Sequence, residues 1–409
     1  MEAQEVKDIL TLTKVAELYN IPLRKAEGYI NCPFCNGSIK MKVTRDRYFH
    51  CYRCEAKGDI FNLLVHKGVA RNFREAFEIL CQHVEGSPLT AEFFRRVTGL
   101  EKVFQSYCQI ARANSSILVE FCKSRGWLEQ IPPIGLATSK SCLRDNLYLT
   151  DLELADLNFL NERGEEYFDN HLVFPIYNET GKLIHIQGRA LDNRDLRWKA
   201  TKGKPAIDNY FYNGGILFNS TPQLESLVVC EGISDTISLL QLGISAIGIF
   251  GVNTPLVQYQ KYFQKFNQVI FILDNDTFSV GHPREGESKS WQSMLPHVVE
   301  LAQEIRKPIY YLMPPQGYSG IKDVNEWLQH IDYDQQEYLD YQTKYLKSIN
   351  ELAISSWGEK RTEHPTLWKL LATTQDYTLA QKFLVTSCPD SSQYLQYLLD
   401  IHTPSTTSP

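Results

Sequence analysis

From Leu227 to Leu312 the chain alternates short apolar runs with amphipathic ones, and no other feature narrows its fold so far. Leu227-Val228-Val229-Cys230 reads as a buried strand, Ser234 to Leu242 as a helix stopped by Gly243, and Ile244 to Phe250 as a second strand. A helix over Pro255 to Phe266, the strand Val269-Ile270-Phe271-Ile272-Leu273, a helix over 288–305 and the strand Ile309-Tyr310-Tyr311-Leu312 complete the series. Such alternation predicts a parallel sheet with helices on its faces, and ligands then sit beyond the carboxyl ends of the strands.

Acidic residues stand at those ends. Glu231-Gly232 follows directly on the first strand, with Asp235 one helical turn later, and Asp274-Asn275-Asp276 follows directly on the third. Gly232 is expected to let the chain turn sharply behind the glutamate. A third acidic element, Lys322-Asp323-Val324-Asn325-Glu326-Trp327, comes after the last strand. Taken singly, each acid reads as a helix cap or a solvated loop residue before it reads as a metal ligand. Their joint placement suits hard divalent cations bound through oxygen. No G-x-x-x-x-G-K-[ST] run occurs, so a fused P-loop helicase is excluded and phosphoryl transfer by two metal ions is the chemistry indicated.

The N-terminal third carries a different signal. Cys32-Pro33-Phe34-Cys35 and Cys51-Tyr52-Arg53-Cys54 form two C-x2-C knuckles, the pattern of a tetrahedral structural zinc site. Four thiolates leave no open position on the ion, so the zinc would be structural and the function would lie in what the ribbon presents. His50 adjoins the second knuckle and is either a ribbon-strand residue or a competing ligand. Lys40 to Phe49 alternates as a strand pair would, with Lys42, Arg45, Arg47, Tyr48 and Phe49 expected on an exposed surface. Cations for phosphates and rings for stacking suit single-stranded nucleic acid; a purely structural module is the competing reading.

The net charge of −6 does not advertise a nucleic-acid binder, but the charge is uneven. Basic residues outnumber acidic ones over 40–57, and again over 182–204, where Lys182, Arg189, Arg194, Arg197, Lys199, Lys202 and Lys204 face only Asp192 and Asp195. The second stretch includes a predicted hairpin, 172–176 and 182–189 across Glu179-Thr180-Gly181. Arg189, Lys199, Lys202 and Lys204 are the phosphate-contact candidates, a solvated charge run being the alternative. The 10 cysteines, the lack of an apolar run long enough to cross a membrane and an opening, MEAQEVKDIL, unlike a signal peptide lead to the expectation of a reducing, cytoplasmic setting.

At this point a resemblance becomes specific. Ala26 through Leu80 resembles the zinc-binding domain of the bacterial DnaG-type primases, through the Cys-Pro-Phe knuckle, the Tyr-Phe-His-Cys strand, Gly58-Asp59-Ile60-Phe61-Asn62-Leu63 and Phe73-Arg74-Glu75-Ala76. The bacterial enzymes usually have histidine as second ligand, whereas Cys35 completes an all-cysteine set similar to that of bacteriophage primase-helicases. Glu231-Gly232 with Asp274-x-Asp276 resembles the TOPRIM signature shared by primases, topoisomerases and some nucleases. The resemblance implies that Glu231 takes part in acid-base chemistry or metal binding, and that Asp274 and Asp276 bind Mg²⁺. Asp235 and Asp323 match further acidic positions of the primase version, and Asn325 stands where several relatives have aspartate. Primases usually pass from the aspartates through a short Ala-Gly step into a helix; here Thr277 to Lys289 inserts a polar loop.

The expected architecture is α/β: a zinc ribbon over 1–86, β with flanking helices; a helical linker region over 87–150; an α+β basic subdomain over 151–225; a TOPRIM parallel-sheet domain over 226–330; and a helical tail over 331–409 with a disordered end. The function implied is that of a DNA primase making short RNA primers on single-stranded DNA from ribonucleoside triphosphates, with one structural Zn²⁺ and catalytic Mg²⁺ or Mn²⁺. Its setting would be a bacterium, a phage or a mobile element, and its tail could dock a replicative helicase, as primase C-termini do. A TOPRIM nuclease and a non-catalytic replication factor with a vestigial carboxylate site are the alternatives.

Overall fold

The computed structural model of the chain describes residues 3–349 except 39, 128–130, 147, 193–197, 202–206, 220–223, 253, 277–288 and 316–320. Two short helices, α1 (Ala3–Ile9) and α2 (Leu12–Leu18), precede a four-stranded antiparallel ribbon of β1 (Gly28–Ile30), β2 (Met41–Thr44), β3 (Tyr48–Cys51) and β4 (Lys57–Gly58). Helix α3 (Ile60–Lys67) begins on a capping box made by Asp59 and Asn62 and ends at left-handed Gly68, and α4 (Phe73–Val84) starts from the Asn72 cap. Val6, Val15, Met41, Val43, Phe49, Phe61 and Leu64 are fully buried here, so the N-terminal unit has an apolar core beside its cysteines.

Segment 87–150, read from sequence as a linker, contributes a 26-residue helix, α5 (Pro88–Ala113), capped by Ser87 with Pro88 in its first turn. After α6 (Ser115–Ser124) come β5 (Gly135–Ala137), α7 (Cys142–Asp145) and α8 (Asp151–Asp156). Strand β5 joins β6 (His171–Tyr177), β7 (Leu183–Ala190) and β8 (Trp198–Ala200) in a second antiparallel sheet. The expected hairpin is therefore present; its turn is tied by Asn178, whose Oδ1 accepts from the amides of Thr180 and Lys182, and Gly181 takes a left-handed φ of 76°. Leu100, Phe104, Tyr107 and Ala111 of α5 share one buried core with Leu136, Val173 and Ile186. The linker segment thus packs into the basic subdomain.

The third sheet runs in the order β14, β13, β12, β10, β11, β9. Along the chain these follow as β9 (Phe211–Tyr212), α9 (Gly215–Asn219), β10 (Leu224–Cys230), α10 (Ile233–Gln241), β11 (Ala246–Ile249), α11 (Gln260–Phe263), β12 (Phe266–Ile272), α12 (Lys289–Ile305), β13 (Ile309–Tyr311), α13 (Val324–His330), α14 (Gln335–Tyr345) and β14 (Lys347–Ser348). The four central strands are parallel and the two edge strands antiparallel. Leu227, Val229, Val269 and Phe271 face one apolar layer, while Val228, Cys230, Ile270 and Ile272 face the other. Burial on both faces explains why these strands read as unbroken apolar runs. The helix expected over Pro255 to Phe266 is a correction: a 3₁₀ turn at Leu256–Tyr259 leads into a four-residue α11, and Phe266 already belongs to β12. Buried Leu256, Tyr259 and Phe263 supplied the helical spacing, which a 3₁₀ turn followed by one α turn satisfies as well.

Candidate active site and zinc centre

Strands β10 and β12 are neighbours with Cys230 opposite Ile272, so Glu231 and Asp274 emerge side by side. The amide of Asp274 donates to Glu231 Oε2 at 3.2 Å. Ser290, in the first turn of α12, donates its hydroxyl to Glu231 Oε1 at 3.1 Å and to Asp276 Oδ1 at 3.0 Å, while its amide reaches Asp276 Oδ1 at 3.3 Å. Asn275 binds the loop before α13, its amide donating to Lys322 O at 2.7 Å and its side chain to Pro314 O at 2.8 Å. That link brings the third acidic element alongside. Asp323 caps α13 by accepting from the Glu326 amide at 2.8 Å, and the Asn325 amide donates to Asp235 Oδ1 at 3.1 Å.

Glu231, Asp235, Asp274 and Asp323 line one cavity of about 310 Å³, which Gln187, Arg189 and Trp198 also line. Burial pushes Asp274 up to about 9, with Asp235, Glu231, Asp323 and Asp276 adding repulsion. Asp235 is pushed up to about 8 by burial and then by Asp323. Glu231 is raised by burial, although its bond from Ser290 works the other way; Asp323 is raised by burial while Arg125 and Arg189 oppose the shift. A buried group of acids that resist ionising together is a site that favours positive charge.

Among the described residues, only the four cysteines bring three or more ligand atoms within 4.8 Å of one another. The carboxylates are spaced more widely than that. Cys32 Sγ lies 3.8 Å from Cys54 Sγ, and Cys35 Sγ 3.8 Å from Cys51 Sγ. A tetrahedron with zinc–sulfur bonds of about 2.3 Å has edges of about 3.8 Å, so the four thiols can hold zinc. Burial pushes the Cys32 thiol up to about 12, whereas Cys51, against its own burial, is brought down to about 7 by amide bonds from Cys54 and Arg53. His50 stays in β3, opposite Lys42 and Lys57 and 4.5 Å from the Tyr52 ring.

The nucleic-acid candidates fare unevenly. Arg189 stands on the cavity wall. Lys199 lies 3.8 Å above the Tyr167 ring and donates to Tyr167 O, so its ammonium is held locally. Lys202 and Lys204 fall outside the described residues, as does nearly all of the Thr277–Lys289 insertion. Arg45 sits in the β2–β3 turn with a left-handed φ of 54°, 3.8 Å from Glu27. Lys42 lies on the ribbon face in the cross-strand row Tyr29, Lys42, His50, Lys57. That row meets α12, with Lys57 bound to Glu304 and His50 Nδ1 3.4 Å from Glu300. Arg47 requires correction: it is buried, donates to Lys7 O and lies 3.6 Å from the buried carboxylate of Asp8, so it serves the fold and not a template. Tyr48 and Phe49, expected on the exposed ribbon, are also buried. Inward and outward positions alternate along β2 and β3, but α12 covers part of the outward face.

Other residues escaped sequence reasoning. Ser290 carried a signal, a hydroxyl at a predicted helix start, but nothing tied it to strands so far upstream. Arg125 donates to Asn325 Oδ1 at 3.0 Å from a segment read as linker. Gly232 is a further correction: its φ of −148° is extended backbone open to any residue. The glycine demanded by close approach is Gly248 on β11, where a Cβ would lie 2.8 Å from Gly232 O and 2.6 Å from Thr236 Oγ1.

No family model matches the chain. The DNA primase of Legionella pneumophila is 23% identical over 325 residues, covering 72% of this chain and 54% of that protein. The chain therefore spans about half the length of the curated relatives it matches. Among solved structures, a DnaG primase catalytic domain bound to single-stranded DNA superposes with a TM-score of 0.55 at 17% identity, over 76% of this chain and 98% of that one. The zinc-binding and RNA polymerase domains of the Aquifex aeolicus primase superpose with a TM-score of 0.51 at 17% identity, over 98% of this chain and all of that one. In sequence over 72% of its length this chain is similar to DNA primases, and in fold over 98% of its length it is similar to the zinc-binding and RNA polymerase domains of one of them.

Proposed function

We propose that this chain synthesises short RNA primers on single-stranded DNA by metal-dependent nucleotidyl transfer. The observation that carries the reading is the pairing of Glu231 and Asp274 at the ends of adjacent parallel strands, in a cavity that Arg189 and Trp198 also line. Glu231, Asp274 and Asp276 are the catalytic residues of this proposal, with Asp235 and Asp323 as further metal-binding acids. The buried, mutually repelling carboxylates fit Mg²⁺ or Mn²⁺, which keep several waters and therefore do not need every acid oxygen gathered at one point. Bound there, such ions would neutralise the triphosphate and ease loss of the 3′-hydroxyl proton.

The protein's own part is to place charge. Ser290 holds Glu231 and Asp276 in one orientation, and the Asn275 bonds keep the Asp323 loop against them. Arg189 lines the same cavity as these acids and is the phosphate-contact candidate there, with Lys199, Lys202 and Lys204 along the same basic segment. Lys42 and Arg45 would guide the template over the ribbon, whose zinc fixes the fold that presents them. The relative solved with single-stranded DNA and the primases matched in sequence support this assignment of template. Ribonucleotide substrates, and a helicase bound by the tail, follow from the family resemblance.

The test is incorporation of labelled ribonucleotides on single-stranded DNA with Mg²⁺ or Mn²⁺. Short RNA products are the expected result. Degradation of the template under the same metal dependence would replace this reading with a nuclease.

A further inference from the structure

Asn325, in the first turn of α13, is fully buried, and both polar atoms of its side chain are committed. Its Oδ1 accepts from Arg125 Nη1 at 3.0 Å, from the chain just past α6. Its Nδ2 lies 2.7 Å from Ser238 Oγ on α10, 3.0 Å from Tyr333 OH beyond α13 and 3.1 Å from Arg125 O. The partners are themselves joined: Tyr333 OH donates to Arg125 O at 2.5 Å, and Trp127 Nε1 donates to Ser238 Oγ at 3.0 Å. Close packing makes these bonds possible. Gly126 takes a left-handed φ of 71°, and a Cβ there would lie 2.2 Å from the Tyr333 ring.

An amide suits this place because it accepts from a guanidinium on one side and donates to a carbonyl on the other; a carboxylate would turn lone pairs toward Arg125 O. The side chain thus locks the start of α13 against α6 and α10. The backbone amide of the same residue donates to Asp235 Oδ1 at 3.1 Å, and two residues earlier Asp323 caps the same helix. Asp235 and Asp323 line one cavity and repel one another when both are ionised, so keeping them together takes a brace that does not yield. We infer that Asn325, pinned by Arg125, Ser238 and Tyr333, is a positioning residue of the carboxylate site that orients Asp235 for a divalent cation. The inference rests on the proposed function in taking Asp235 for a metal-binding acid, whereas its test needs no synthesis.

Mn²⁺ binding to the full chain, measured by calorimetry without nucleotide or template, reads the effect directly. Asn325→Ala should weaken binding about tenfold, the usual cost of losing a group that orients a metal ligand. In an Asp235→Ala background the same substitution should weaken it no further, since the asparagine acts through that aspartate. Arg125→Ala separates positioning from simple electrostatics and keeps the test decisive if Asn325→Ala folds poorly. Taking a positive charge away from Asp323 favours a cation, whereas releasing Asn325 Oδ1 disfavours it. Positioning predicts binding about threefold weaker, with most of the loss recovered in Arg125→Lys, which keeps the charge and a donor. In primer synthesis Asn325→Ala should raise the Mn²⁺ concentration for half-maximal rate, with most of kcat recovered at saturation. A destabilised Asn325→Ala whose folded form binds Mn²⁺ as the wild type does would make the residue part of the fold alone and overturn the inference. Tighter binding by Arg125→Ala, or full additivity with Asp235→Ala, would do the same. Wild-type affinity in Asp235→Ala would remove that acid as a ligand and the inference with it. A chain that makes no primer can still show the expected Mn²⁺ pattern, and one that makes primers can lack it.

Discussion

Asp274 shows what the site demands of single residues. Its carboxyl is pushed up to about 9 by burial and by four neighbouring acids, so the folded chain binds this proton far more tightly than the unfolded chain does. Stability from that proton is present in full below the ordinary carboxylate range and is lost as pH rises through about 8 to 9, where Asp235 also ionises. Divalent cations, which favour the ionised acids, should compensate in that window. Thermal melting should therefore show a larger gain from Mn²⁺ at pH 9 than at pH 6, and Asp274→Asn should raise the metal-free midpoint at pH 9 by about 2–4 °C for each kcal/mol relieved. An Mn²⁺ gain that did not change with pH would contradict this picture. The acids were legible in the sequence because each follows an apolar strand. Ser290 and Arg125 were not, since Ser290 reaches Glu231 across 59 residues and Arg125 reaches Asn325, beside the acids, across 200. Gly232 drew attention by standing next to Glu231, yet the space constraint belongs to Gly248 on the neighbouring strand.

At the scale of elements, the ribbon and the parallel sheet each fold on their own logic. The knuckles converge in sequence, and α3 and α4 carry caps readable from Asp59 and Asn72. Cys32→Ser or Cys54→Ser should release the single zinc expected per chain, measured by metal analysis, while the sheet domain keeps its far-ultraviolet signature. Zinc fully retained by both variants would contradict the site. The ribbon's outward face was harder to read, because Lys42, His50 and Lys57 alternate as solvent-facing residues do and only the fold reveals that α12 lies over part of them. Arg47 misled for a related reason: a charged residue in a basic run reads as exposed unless its buried partner is known, and Asp8 is far away in sequence. Gly248→Ala should destabilise the sheet domain by about 1–3 kcal/mol in urea denaturation, since its methyl would press on the backbone that carries Glu231.

Across the whole molecule, the ribbon unit is joined to the basic subdomain through Asp8. This fully buried carboxylate accepts from Asn178 Nδ2 at 2.6 Å and Tyr210 OH at 3.0 Å, and it faces Arg47 across 3.6 Å. The Lys57–Glu304 pair at the other seam is partly exposed and contributes about 0–1 kcal/mol, so the Asp8 network sets the docking. Removing its charge takes away the carboxylate that lies 3.6 Å from the buried Arg47 guanidinium. Asp8→Ala should therefore destabilise the chain by about 3–5 kcal/mol or free the ribbon to early proteolysis. An unchanged unfolding midpoint with an unchanged proteolytic pattern would argue against a docked ribbon. The central claim concerns the carboxylates, and the most direct measurement compares wild type with Asp274→Ala for labelled ribonucleotide incorporation on single-stranded DNA in Mg²⁺ or Mn²⁺. The account predicts short RNA from the wild type, almost none from the variant and undiminished DNA binding by both; equal synthesis by the two proteins, or none by the wild type under either metal, would contradict it.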